Sequence, residues 1–136
     1  MKRKTLILTS LLMAVTVGCS SEIKSVEFYE KNDEARNQIL KECSPMGFQK
    51  DGLSKKEAED CGNAQKAEAN IAKFSSNVEY FRSELGTICY AQFSNGKECF
   101  EYTDKCFLDE IKGLMSYDEL VQKKDKCIEE YVSKNK

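Results

Sequence analysis

Cysteine sets the first constraint on this chain. Its 136 residues hold seven cysteines, at positions 19, 43, 61, 89, 99, 106 and 127, and no histidine. An odd number cannot pair completely within one chain. The six from Cys43 onward contain no C-x-x-C pair, and without histidine a mixed zinc site cannot form. Structural disulfides are therefore expected of Cys43, Cys61, Cys89, Cys99, Cys106 and Cys127, and no metal site is expected. Cys19 stands apart, at the end of an apolar run.

That run explains it. Lys2, Arg3 and Lys4 begin the chain, and residues 5–17 are almost wholly apolar or hydroxylic. The stretch is short for a permanent membrane helix. A charged start, a short apolar middle and small residues before a cut read as a secretory signal. Val17-Gly18-Cys19 resembles the lipobox of bacterial lipoproteins, with Thr16 where that pattern most often has Leu. The resemblance implies a leader over residues 1–18 and a diacylglyceryl thioether and N-acyl chain, such as palmitate, on Cys19 as the new N-terminus. Residues 19–24 would then tether the fold to the membrane, in the cell envelope and facing the periplasm. An oxidising compartment makes the other six cysteines intelligible, because small exported domains use disulfides where the apolar core is thin.

Cleavage before Cys19 removes three of the 21 basic residues and none of the 23 acidic ones, leaving a net charge of −5. That balance lacks the basic footprint of a nucleic-acid binder. The membrane, through the lipid, is the one partner that the residues name.

From residue 25 the pattern is helical. Phe28, Ala35, Ile39 and Leu40 suit an amphipathic helix broken near Asn32, with Ser25 or Asp33 as its cap. "SPMGFQKDGL" holds the only proline and two glycines and reads as a loop. Ser54 and Glu57 have capping-box spacing. Ala64, Ala67, Ile71, Phe74, Val78, Phe81 and Leu85 then recur at steps of three and four, one stripe on a long helix over 55–85.

"TICYAQFSNGKECFEY" changes period. Asn95-Gly96 is a favoured two-residue hairpin turn, and the flanking segments alternate. Pairing 94 with 97 puts Cys89, Ala91, Phe93, Phe100 and Tyr102 on one face and Tyr90 and Cys99 on the other. A short helix is expected over 104–113. Ser116 and Glu119 make a second capping box, followed by a helix whose Tyr117, Leu120, Val121, Cys127, Ile128 and Tyr131 face inward. The expected class is mainly α with a small β-hairpin (α+β). It divides into a helical hairpin module over 25–86 and a β-hairpin plus helix module over 87–136 with four cysteines.

Chemistry is hard to place. The commonest general base is absent with histidine. No G-x-S-x-G elbow, S-x-x-K motif, phosphate-cradling glycine loop or calcium loop occurs. The chain reads as a non-enzyme with no catalytic residues and no cofactor beyond the lipid on Cys19.

The lipobox, the tether, "SVEFYEKNDEARNQILKEC" and "EDCGNAQKAE" together resemble the EexN/TrbK-like entry exclusion lipoproteins of conjugative plasmids. The resemblance runs through residue 71; Phe28 stands where family members often have Trp. It implies that a cell already holding the element uses this protein to block redundant conjugative DNA transfer, by contact with a component of the incoming type IV secretion apparatus. The other readings are a structural or stress-related envelope lipoprotein and an inhibitor of a lysozyme-type hydrolase.

The family-like two-cysteine layout and chain order favour Cys43–Cys61. The hairpin register argues against Cys89–Cys99. Two pairings of the last four remain, and Cys89–Cys106 with Cys99–Cys127 is preferred because it ties the hairpin to the final helix.

Overall fold

The computed structural model describes residues 22–43 and 53–136. The expected leader, Cys19 and the Pro45/Gly47/Gly52 loop lie outside the described residues. Among the described residues five helices run in order: α1 (Val26–Lys31), α2 (Asp33–Cys43), α3 (Lys55–Gln92), α4 (Gly96–Glu110) and α5 (Tyr117–Lys134).

Local chemistry sets most of the ends. Ser25 Oγ accepts from Phe28 N at 3.1 Å and starts α1. Asn32 leaves helical geometry at φ −129° and separates α1 from α2. Ser54 with Glu57, and Ser116 with Glu119, form reciprocal capping boxes at the starts of α3 and α5.

α3 is the spine. Lys24 lies against Asp60 and Asn63, and Glu30 against Asn70, so α1 runs parallel to α3. Arg36 meets Glu68 and Cys43 meets Cys61, so α2 runs back antiparallel. α4 also descends α3, with Cys89 beside Cys99 and Arg82 beside Asp104. α5 ascends, with Tyr117 near Phe81, Lys124 on Glu84 and Tyr131 near Phe93. The molecule is thus two three-helix tiers on one long helix. The tips of the α1–α2 and α4–α5 pairs point at each other across its middle.

Each tier has its own core. Tyr29, Ala64 and Ala67 are buried in the lower tier, with Val26, Phe28, Ala35, Ile39 and Leu40 packed around them. Phe81, Leu85, Phe107, Leu120 and Cys127 fill the upper tier. Cys89, Cys99 and Tyr131 close its far end.

The expected β-hairpin is absent: among the described residues there is no strand, so the fold is helical and not α+β. Residues 87–92 continue α3 through the expected boundary at 86/87, and Gly96 opens α4. Extending an existing helix costs little per residue, whereas a new strand pair must be nucleated. Leu85 and Cys89, both fully buried, also prolong the α3 stripe. The short helix expected over 104–113 is α4 instead, from Gly96 to Glu110, with Cys99, Thr103 and Phe107 buried at intervals of four. Asn95-Gly96 belongs to a helix–helix connection. A Cβ on Gly96 would come within 2.7 Å of the Tyr90 ring and 2.9 Å of Tyr90 Cα, so only glycine lets the two helices close this tightly.

The cysteine pairing changes with the register. Among the described residues three disulfides form: Cys43–Cys61, Cys89–Cys99 and Cys106–Cys127. The preferred Cys89–Cys106 with Cys99–Cys127 does not occur. On two antiparallel helices Cys89 and Cys99 face each other, with Cα atoms 5.5 Å apart, where on a hairpin they would point to opposite faces. Tyr117, expected inward, is 49% exposed, although its ring lies 5.0 Å from that of Phe81.

Candidate functional site

Two regions combine functional residues with geometry: the base, where the chain enters the fold, and the waist between the tiers.

At the base the entering segment is fixed to α3. Asp60 Oδ1 accepts from Lys24 N at 2.9 Å, and Asn63 Nδ2 donates to Lys24 O at 2.7 Å. Glu22 and Ile23 line a shallow recess with Ser54, Lys56, Glu57 and Asp60. The segment is extended and has no helical partner for these groups, so α3 side chains supply them. Asp60 also faces Tyr29. Burial, with Asp60 adding to it, pushes the Tyr29 phenol well above its ordinary range. One turn higher, Arg36 is buried and bridges Glu68 at 2.7 Å and Asp33 at 2.9 Å, while donating to Tyr29 O at 2.8 Å. These contacts lock α1 and α2 onto the lower half of α3.

The waist is an open cleft of about 840 Å³. Ile71, Phe74 and Ser75 of α3 form its floor, with Glu27, Glu30, Lys31 and Asp33 on the lower side and Ile111, Lys112 and Leu114 on the upper. A second recess on the other flank of α3 shares Glu30, Phe74 and Leu114 and reaches Lys73, Asn77 and Tyr117. Leu114 and Tyr117 are 40% and 49% exposed. Gly113, at φ +75°, turns the loop that carries Leu114. A largely apolar floor with a mainly acidic lower rim and an ammonium on each side, Lys31 below and Lys112 above, suits contact with another surface.

The structure distributes the sequence-selected residues unevenly. The six cysteines join elements within tiers, and none lines the base recess or the waist. Cys19 lies outside the described residues. Among the described residues no three His, Cys, Asp or Glu side chains gather as a metal-ligand set. No described helix is long and apolar enough to cross a membrane. The waist was not foreseen. Its signals were the Asn32 break and the Gly113 turn, which became meaningful only when helix directions brought both tips to Phe74.

No family model, curated protein or solved structure matches the chain.

Proposed function

We propose that this chain is a bacterial lipoprotein, anchored in the envelope through Cys19, that mediates entry exclusion by contact with an incoming conjugative type IV secretion apparatus. The observation that carries the reading is a lipobox-like Val17-Gly18-Cys19 followed by a pair of helices stapled to a third through Cys43–Cys61. The resemblance rests on those same residues. On this reading the lipid would stand close to the fold, because the Lys24 main chain is hydrogen-bonded to Asp60 and Asn63 of α3. The waist, with exposed Leu114 and Tyr117 beside Phe74, supplies a surface suited to protein contact.

Mating assays test the reading. Recipients making the protein should take up a plasmid encoding the same protein poorly and an unrelated plasmid normally. Cys19→Ser should move the protein out of the membrane fraction and restore transfer. Equal transfer of both plasmids into recipients with the wild-type protein in the membrane would remove exclusion as its function.

A further inference from the structure

A lipid on Cys19 would fix where the rest of the molecule stands. Cys19 is three residues before Glu22, so their Cα atoms lie at most about 11 Å apart whatever path the chain takes. Glu22 and Ile23 sit beside the first turn of α3, and Lys24 is hydrogen-bonded to Asp60 and Asn63. The anchored point is therefore at the foot of α3. From there α3 runs 38 residues, roughly 57 Å at a helical rise of about 1.5 Å per residue. Its far end meets the end of α5: Phe93, Ser94 and Asn95 share a recess with Asn135 and Lys136.

Two features oppose the molecule lying flat. The mature chain's charge of −5 is repelled by anionic headgroups. The outward side of α3 is also mixed: Lys66, Lys73, Ser76, Ser83 and Thr87 are exposed along it, interspersed with Ala58, Ala69, Ala72, Tyr80, Tyr90 and Ala91. That side lacks the continuous apolar stripe of a helix that beds into a lipid interface.

We infer that the lipid surface is met by one end of this protein only, the base formed by Glu22–Lys24 and the start of α3. The crown formed by the α3–α4 turn and the end of α5 stands clear of it. The inference rests on the anchor reading and adds a direction to it. It makes the crown and the waist the regions open to a partner arriving from outside the membrane, and the base the region shielded from one.

Photo-crosslinking of the full chain in membranes tests it. A benzophenone amino acid replaces Lys56 at the base or Ser94 at the crown, in cells whose phospholipid is radiolabelled. Lys55 and Lys136 serve as second sites, and the three disulfides, mapped without reduction, report folding. Irradiation should attach lipid to the base sites at least ten-fold more than to the crown sites. A membrane-bound protein that crosslinks equally at both ends would overturn the standing orientation while leaving the anchor intact. A protein absent from the membrane fraction would overturn the anchor, and the orientation with it.

Discussion

Glu110 closes α4 and accepts from two lysines of α5, Lys126 at 2.7 Å and Lys123 at 3.0 Å. Lys126 above all, then Lys123, holds its carboxyl well below the ordinary 4.5, down to about 2. A carboxyl that gives up its proton more readily when folded stabilises the fold fully above its ordinary value. That contribution fades as pH falls through 4.5 toward about 2. Glu57 and Glu119 are lowered by their capping serines and act in the same direction. Glu110→Gln should therefore have a lower urea midpoint than wild type at neutral pH, with the two curves converging as pH approaches 2. A gap that stayed constant across this range would show that the lysines do not stabilise the fold through Glu110's charge. Lys124 shows the opposing forces at a more buried site. Burial pushes its ammonium down, but Glu84 at 2.9 Å and Asp125 together outweigh that and leave it raised.

Among the helices, those whose apolar positions recur at steps of three and four were legible in sequence, and so were those with a capping box. α3 and α5 carry both signals and start where their capping boxes place them, although α3 runs on to Gln92, past the expected end at 85. α4 carries neither cleanly. Thr103 breaks the apolar row between Cys99 and Phe107, and its polarity hides a fully buried position whose hydroxyl donates to Cys99 O at 2.9 Å. Asn95-Gly96 adds a turn that serves a hairpin and a helix–helix corner equally. Cys89 and Phe93 fit alternation as well as the i, i+4 spacing of a helix, and the local residues do not choose between them. The choice is made by α3 already being helical, and it decides the disulfides. Trypsin separates these cysteines, because Arg82, Lys97, Lys105, Lys112, Lys126 and Lys134 fall between or beside them. Without reduction, peptide 83–97 should be joined to 98–105, and 106–112 to 127–134. A link between 83–97 and 106–112 would restore the hairpin-based pairing and remove the α3–α4 corner.

At the scale of the whole molecule, three disulfides among the described residues lie within tiers and none of these spans the waist: Cys43–Cys61 in the lower, Cys89–Cys99 and Cys106–Cys127 in the upper. The two buried clusters are likewise separate, with Phe74 of α3 packed on the upper one and Ile71 in neither. The module boundary expected at 86/87, where the period changes at "TICYAQF", falls inside α3. The shared helix was not legible, because continuity across residue 86 depends on packing against α4 and α5. The lower tier buries one aromatic and two alanines, much less than the two phenylalanines and two leucines of the upper. Its staple should matter correspondingly more. Closing a loop with a separation of 18 residues contributes roughly 3 kcal/mol in the chain-entropy model. Replacing both Cys43 and Cys61 by Ser should therefore raise hydrogen exchange in α1, α2 and the first turns of α3 by roughly a hundred-fold, the factor corresponding to about 3 kcal/mol. Amides of α4, α5 and Phe81–Cys89 should keep their protection, since their core and both their staples are intact. Replacing Cys106 and Cys127 should loosen α4 and α5 and leave the lower tier ordered. A uniform loss of protection along the chain from the Cys43/Cys61 replacement would mean that α3 couples the tiers into one cooperative unit, and the waist would then be a cleft in a single fold and not a joint between two.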